Sequence, residues 1–583
     1  MITREHVADL LEEIALLLEL QGENPFKIRA YRNGAEVVRT HPGDIIARAA
    51  AGDLGGIKGI GDALAQKLHE LASTGKLDFY EKLRSTFPET IFELFEIQGL
   101  GAKKAKALYE SLGVASVPQL KAACEAGLVA ALPGFGKRSE EKILESIGFR
   151  EQNADRFRQN EVAPYVDRIL AHLRAFAGTF QLSVAGSFRR GKETLHDLDF
   201  IVATADAEGA IAHFVAGEFV GSVIAQGGTK ASVRLTTGVP CDLRAVPNES
   251  YPFALQYFTG SKEHNVALRG RAQKQGLTLN EYRLSPTAEG GAPPPEINDE
   301  SDLYRTLGLL YIDPELRENG GEIEAAEVGT LPELVQIGNL RGTFHNHTTA
   351  SDGGATLAEM AAAAQDLGLE YLGIADHSKA SFQANGLDEA RLLAQVAEIA
   401  ALNATFGGRF RLFAGTECDI LKDGRLDFSD EILAQLDYVV ASVHSVFNLP
   451  EAEMTRRLIR AIENPHVTML GHLTGRLLLK RDPYAVDIPA VIDSAAATGT
   501  IIELNAHPSR LDMDWRWWRL AKEKGVRCAI NPDAHSTAGL QHLFYGVRAA
   551  RKGWLERDDV VNCLPLGQIE GVLEAKRKGA AHA

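Results

Sequence analysis

The sequence predicts a multidomain α/β chain: helical at its N-terminus, mixed in its middle, and built at its C-terminal end from parallel strands alternating with helices. Three observations predict this. The 583 residues exceed the ~250–300 at which one core stops growing and suggest roughly three to five domains. Apolar spacing is helical through about residue 150, with no alternating strand pattern before about residue 180. Beyond about residue 340, short apolar runs repeatedly end in a histidine or an acid.

Composition narrows the class. Charged residues at 24% and hydrophobic ones at 45% are globular values and exclude wholesale disorder. No run approaches the ~18 apolar residues of a membrane span. Glu5, Asp9, Glu12 and Glu13 interrupt any signal-peptide core. Five scattered cysteines without a CxxC pair argue against a disulfide framework or a thiolate zinc site. The expectation is a cytoplasmic chain, monomeric and without a membrane partner. The net charge of −16, taken alone, speaks against nucleic acid, because phosphate binding needs basic surface. The charge is uneven, however. Residues 1–150 carry 19 basic and 21 acidic side chains, 151–320 carry 17 and 22, and 321–583 carry 26 and 35. Ten of the 17 histidines lie at or beyond His345, among that acidic excess.

The first helix is marked by Val7, Leu10, Leu11, Ile14, Leu17 and Leu18, a stripe at i, i+3, i+4, i+7. A glycine element then occurs three times: Ile57-Lys58-Gly59-Ile60-Gly61, Ile97-Gln98-Gly99-Leu100-Gly101 and Leu132-Pro133-Gly134-Phe135-Gly136. Helical stretches follow each copy: 62–71, 102–112 and 137–147. Two glycines around one apolar residue make a tight turn that presents backbone N–H groups at a helix start, where a phosphate docks. One copy is an ordinary packing turn. Three copies, with Lys103, Lys104 and Lys137 close by, point to DNA backbone contact, which positions without reading bases. They resemble the helix-hairpin-helix motif of DNA repair proteins. Lys67 follows the first copy; a lysine amine can form a Schiff base with the aldehyde of an abasic sugar, although a solvated helix lysine is the simpler reading.

The middle of the chain carries a phosphoryl-transfer pattern. Leu182–Ala185 reads as a buried strand, Gly186-Ser187 as a turn followed by Arg189 and Arg190, and 197–202 as a second strand. Asp197 and Asp199 then face one side together. Two adjacent carboxylates call for a divalent cation, and hard oxygen ligands suit Mg²⁺ or Mn²⁺. Asp242 fits a third acid on a neighbouring strand, completing a two-metal arrangement for in-line displacement. These residues resemble the nucleotidyltransferase superfamily and, more closely, the family X DNA polymerases; the likeness continues through 257–261 and 279–282. The resemblance implies that Ser187 and Arg190 bind the triphosphate of a dNTP. It puts Tyr257 and Phe258 beneath the sugar, counts Gly260 among the nucleotide-binding residues, and places Asn265 at the base and Arg269 at the template strand. It also matches Lys67 to the family's deoxyribose-phosphate lyase lysine. Leu195 and His196 depart from the Ser-Gly of DNA polymerase beta, and Ala63 replaces a lysine.

In the last part, His345 and His347 alternate on an expected strand, with Asp352 just beyond. Asp376 with His377, Glu417, His444, His472, and Asp533 with His535 each follow a short apolar run and are candidate ligands. Ligands at the ends of successive parallel strands describe a barrel active site, and mixed His/carboxylate donors suit Zn²⁺, Mn²⁺ or Fe. This order resembles the PHP (polymerase and histidinol phosphatase) domain, a distorted (β/α)7 barrel. By that resemblance nine of these residues, all but Asp376, hold two to three divalent metals, with Glu417 bridging, and Arg510 contacts phosphate. The role of His507 stays open.

The expected organisation is a helical lyase-type domain at 1–82, a helix-hairpin-helix fingers domain at 83–150, a nucleotidyltransferase palm at 151–250, and a small α/β thumb at 251–318. A Glu/Gly-rich linker at 319–340 and the PHP domain at 341–583 complete it. The expected activity is DNA-directed synthesis across short gaps in gapped or primed DNA, with 3′–5′ exonuclease or 3′-phosphoesterase action and abasic-site cleavage. Two alternatives stand beside it: a template-independent nucleotidyltransferase with a phosphatase tail, and a DNA-end binder without catalysis.

Overall fold

A computed structural model of the chain describes residues 4–40, 44–57, 59–97 and 100–580. It divides into two compact units, 1–154 and 155–583. Among the described residues no helix is long and apolar enough to cross a membrane. All five cysteines are free and buried.

The first unit is helical. Helix Arg4–Gln21 buries every residue of its predicted stripe, and the buried cluster runs from Val7 to Ile147 without a break. The stretches expected at 1–82 and 83–150 therefore share one core. The glycine elements lead into helices Asp62–Thr74, Ala102–Leu112 and Lys137–Asn153, the first and third longer than the sequence pattern predicts.

The second unit opens with helix Gln159–Arg174 and a five-stranded sheet. The strand order is Thr179–Val184, Leu198–Thr204, Pro240–Val246, Lys230–Leu235, Val220–Gln226. Leu198–Thr204 and Pro240–Val246 run parallel; the other pairs are antiparallel. Leu198, Phe200 and Val202 point into a core with Val162, Val166 and Ile169 of the first helix and Phe214 of helix Ala207–Val215. Ile201 and Ala203 point to the opposite face, against Tyr251, Ala254 and Leu255 of helix Tyr251–Thr259. The first strand differs from expectation. It lies at the sheet edge, with one flank unpaired, so Leu182 and Val184 are half-buried rather than buried.

The stretch expected to be a linker is ordered and packed. Residues 322–328 form helix Glu322–Val328, with Ile323 and Ala326 in a core shared with Leu268 and Leu303. Glu322 is fully buried because it has partners: His264 Nδ1 at 2.6 Å and the amides of Asn319 and Gly320. An ionised carboxylate can only accept, so Nδ1 donates and His264 Nε2 accepts from the Tyr304 hydroxyl at 2.9 Å. Burial, outweighing Glu322, lowers the His264 pKa and keeps the ring neutral.

The remaining residues form a barrel of seven parallel strand positions. They begin at Gly342, Tyr371, Arg411, Val440, Met469, Ile501 and Cys528. The third is broken at Gly415-Thr416 into Arg411–Ala414, which pairs back to Tyr371–Ile374, and Glu417–Asp419, which pairs forward to Val440–Ser442. A Cβ on Gly415 would stand 2.4 Å from the Tyr438 ring, so the break needs glycine. The seam between first and last strands is closed by the bridge Asn346–Ala534 and by the Thr343 hydroxyl donating to the Ile530 carbonyl at 3.0 Å.

Replacing Glu322 by Ala would leave a buried imidazole N–H and two amides without acceptors. We expect a loss of about 3 kcal/mol in urea unfolding of the chain, and near-neutral behaviour of Glu324→Ala on the exposed side of the same helix.

Candidate active sites

The three acids expected at the first site come together on the sheet. Asp199 and Asp242 are direct cross-strand neighbours on the parallel pair. Asp197 lies one residue before its strand and is exposed. Gly186 makes the approach possible: it sits at φ +60, and a Cβ there would stand 2.1 Å from Asp199 Oδ2. Burial, then the carboxylates of Asp197 and Asp242, pushes Asp199 up to about 7. Burial and Asp242 likewise raise Asp197. Lys230, on the strand beyond Asp242, reaches its Oδ2 at 2.6 Å. Three clustered acids, one held near 7 by burial and by its neighbours, form a donor set that fits hard divalent cations.

A cavity of about 390 Å³ opens over these acids. Its walls include Gly186, Ser187, Arg190, Asp197, Asp199, Tyr257, Phe258, Gly260, Asn265 and Arg269, which unites the expected nucleotide contacts with two of the acids. Lys262, which the sequence pattern did not single out, adds an ammonium. The Tyr257 and Phe258 rings meet edge to face at 5.1 Å, and the Arg244 guanidinium lies 4.1 Å from the Phe258 ring centre. Asn265 is fixed at both ends of its amide: Nδ2 donates to the Tyr257 carbonyl at 2.7 Å and Oδ1 accepts from Gln256 at 2.8 Å. Arg190 donates to the Thr259 carbonyl and pairs with Glu318 at 3.1 Å. His196 is exposed and contacts Arg156 at 2.7 Å, while Leu195 is buried.

All nine expected ligands converge in the barrel. Four groups have donor atoms within 4.8 Å of one another: His347 with Asp352, His377 and His535; His345 with Glu417 and His472; His345 with His347 and Asp533; and His377 with Glu417 and His444. The expected strand for His345 and His347 is not there. The first strand ends at Thr343 and His345 adopts φ 56, a left-handed turn that brings both rings inward from a loop. His345 Nε2, both nitrogens of His347, His377 Nδ1 and His472 Nδ1 are buried without a hydrogen-bond partner. Orphaned imidazole nitrogens beside carboxylates are what metal ions satisfy, so the residues fit the expected metals. Burial lowers the affinity of His377 and His444 for a proton, but Glu417 overrides it and pushes them up to about 11 and about 9.

A second layer escaped the sequence pattern. Glu503, fully buried on strand Ile501–Asn505, accepts from His345 Nδ1 at 2.6 Å and from the His472 amide at 2.8 Å. Asp419 holds His444 Nδ1 at 3.0 Å. Asp376, by contrast, was a strand-end candidate in the sequence, but it turns away from the centre and takes the Thr348 amide and hydroxyl at 2.8 and 2.6 Å, bracing the loop of His347 and Asp352. A lone carboxylate inside an apolar strand, as at Glu503, was the available signal. Arg510 leans on Asp533 at 3.4 Å rather than standing free. His507 bonds Ser509 at 2.7 Å, and burial draws its pKa down to about 4.

In the helical unit, Gly61, Gly101 and Gly136 each precede the first residue of a helix in extended conformation, and a Cβ on any of them would meet nothing within 4 Å. Gly59 and Gly134 take φ +95 and +83; Gly99 lies outside the described residues. Ile60 and Leu100 pin their turns to the core. Lys67 is part-exposed, with Nζ 5.0 Å from the Phe79 ring centre and 3.3 Å from the Ala63 carbonyl.

Comparison with known families gives four matches: a helix-hairpin-helix domain over residues 2–77, a SAM-like helix-hairpin-helix tandem over 91–148, the DNA polymerase beta thumb over 254–318, and the PHP domain over 343–507. The DNA polymerase/3′-5′ exonuclease PolX of Bacillus subtilis (strain 168) is 40% identical over 578 residues, covering 98% of this chain and 99% of that one. A probable phosphatase of Thermoanaerobacter sp. (strain X514) is 28% identical over 245 residues, 40% of this chain and 94% of its own. DNA polymerase lambda of Rattus norvegicus is 23% identical over 340 residues, 54% of this chain and 56% of its own. The chain belongs to the family X DNA polymerases that carry a C-terminal PHP domain.

Proposed function

We propose that the chain fills short gaps in DNA at the sheet site and trims or repairs 3′ ends at the barrel site. The observation that carries this is one cavity lined by Asp197 and Asp199, with Asp242 cross-strand from Asp199, that also gathers the expected nucleotide contacts. Asp197, Asp199 and Asp242 would hold Mg²⁺ or Mn²⁺. Held there, such cations would supply charge neutralisation for a triphosphate and acidify a primer hydroxyl. Ser187, Arg190 and Lys262 line the triphosphate side. Tyr257 and Phe258 form the floor for the sugar, Asn265 presents a fixed amide to the base, and Arg269 faces the template. Lys230 offsets the charge of Asp242.

At the barrel site the nine ligands would hold two to three of Zn²⁺, Mn²⁺ or Fe, which supply an activated water and a clamp on the phosphate ester. Glu503 and Asp419 fix the ring orientation of His345 and His444. Arg510 is placed to contact a phosphate. The hydrolytic role reads as 3′–5′ exonuclease and 3′-end phosphoesterase, with abasic-site cleavage. The glycine turns of the helical unit serve DNA backbone contact, and Lys67 serves as the lyase nucleophile. The domain assignment follows: lyase-type at 1–82, fingers at 83–150, palm at 151–250, thumb at 251–318 and PHP at 341–583, acting as a cytoplasmic monomer on gapped or primed DNA.

On an end-labelled one-nucleotide gap, Asp199→Ala is expected to abolish extension and spare shortening, and His377→Ala to do the reverse. Loss of both activities in either variant would sink the two-site reading. Because Asp199 is held near 7, a cation must displace its proton in more acidic solution. The half-saturating Mn²⁺ concentration for extension should therefore rise about tenfold from about pH 8 to about pH 6; a flat profile contradicts this. Borohydride should trap a covalent adduct with abasic-site DNA, and Lys67→Ala should lose it.

A further inference from the structure

The loop that bears Ser187 and Arg190 is gripped from the barrel side. Arg548, on helix Leu543–Lys552, donates to the Phe188 carbonyl. Arg476 pairs with Glu193 at the far end of the loop. Lys552, the last residue of that helix, is buried, and its ammonium reaches the backbone of Arg190, a residue of the cavity wall. Its ammonium donates to Glu318 Oε1 at 2.6 Å and to the carbonyls of Arg190 and Glu315 at 3.1 and 3.3 Å. The same Glu318 oxygen accepts from Arg190 Nε at 3.1 Å, and Oε2 faces Lys192 at 3.2 Å. The Trp515 ring lies 4.8 Å from the Lys552 ammonium and 5.7 Å from that of Lys192. Burial draws Lys552 down to about 8 against the pull of Glu318, which leaves it charged at neutral pH.

One carboxylate in a water-poor setting thus faces three cations, and one of these, Arg190, lines the nucleotide cavity. We propose that Lys552 is a positioning residue for the polymerase cavity, neutralising Glu318 from the barrel side so that Arg190 keeps its charge for a triphosphate. This rests on the reading of that cavity as the dNTP site. Without Lys552, Glu318 would hold Arg190 more tightly and would itself oppose the incoming phosphates, at short range and with little solvent screening. The acids that perform the chemistry are not touched by Lys552, so the loss belongs to dNTP binding. The barrel half on this view contributes to synthesis as well as to hydrolysis.

The test uses the full chain with Lys552→Met, measuring KM for dNTP and kcat on a one-nucleotide gap. Hydrolysis of a single-stranded oligonucleotide and the thermal melt are followed on the same preparation. We expect KM to rise about tenfold, the size of a weakened charge-assisted contact, with kcat and hydrolysis little changed. Adding Glu318→Gln should recover most of the lost affinity, because it removes the carboxylate that competes with the triphosphate for Arg190; a purely structural role for Lys552 predicts no recovery. If Lys552→Met melts early and loses both activities, Lys552→Gln keeps a donor for the two carbonyls without the charge and should show the same rise in KM. An unchanged KM in a folded variant, or no recovery in the double variant, overturns the inference. A wild-type chain whose extension does not saturate with dNTP overturns the reading of the cavity itself.

Discussion

The carboxylate of Glu417 stands within 3.7 Å of nitrogens of His345, His347, His377, His444 and His472. Burial alone would protonate it, yet the surrounding imidazoles hold it well below the usual carboxylate range. Much of the barrel is arranged to keep that crowding tolerable. The break in the third strand sets Glu417 at the point where the two sheet halves part. Glu503 and Asp419 fix the rings that face it, and Asp376 ties down the loop bringing His347 and Asp352. Removing one of these supports leaves a buried ionisable group without its partner, which costs more than the contact itself provides.

The sheet site meets the same constraint with acids. Asp197, Asp199 and Asp242 repel one another, and burial together with that repulsion holds Asp199 near 7. Lys230 answers on one side, and Arg190 faces the cavity on the other. The net charge of −16, which alone argued against nucleic acid, is explained in part by this design. Acids assigned to cations count toward the formal charge but not toward the surface a phosphate backbone meets once cations are bound.

Much of this was legible in the sequence, and the misses have physical causes. Strand-end ligands announce themselves because an acid or histidine after an apolar run sits at a barrel mouth; six such residues converge with His345, His347 and Asp352, while Asp376, in the same kind of position, turns to Thr348 instead. The acid pair Asp197 and Asp199 and the wall residues of the cavity follow from strand alternation and from the family likeness. Glu503, Asp419 and Glu318 were not legible, since each acquires its role from a partner far along the chain: Lys552 lies 234 residues from Glu318, and His345 lies 158 from Glu503. The segment at 319–340 misled for the same reason. Glutamate and glycine read as solvated, but His264, 58 residues earlier, gives Glu322 a reason to be buried. The half-buried first strand shows that apolar content does not reveal whether a strand is central or at an edge.

The seam of the barrel has a consequence for how the protein comes into being. His345 and Asp352 stand at its opening, while Asp533 and His535 arrive from the last strand, about 190 residues later, and Lys552 later still. Contacts so distant in sequence form late. A nascent chain therefore exposes the helical unit with its glycine turns well before the last ligands of the barrel centre exist. A chain stopped short of Asp533 carries seven of the nine barrel ligands and lacks the Lys552 contact with Glu318, so both sites of this unit draw on the same late stretch of sequence.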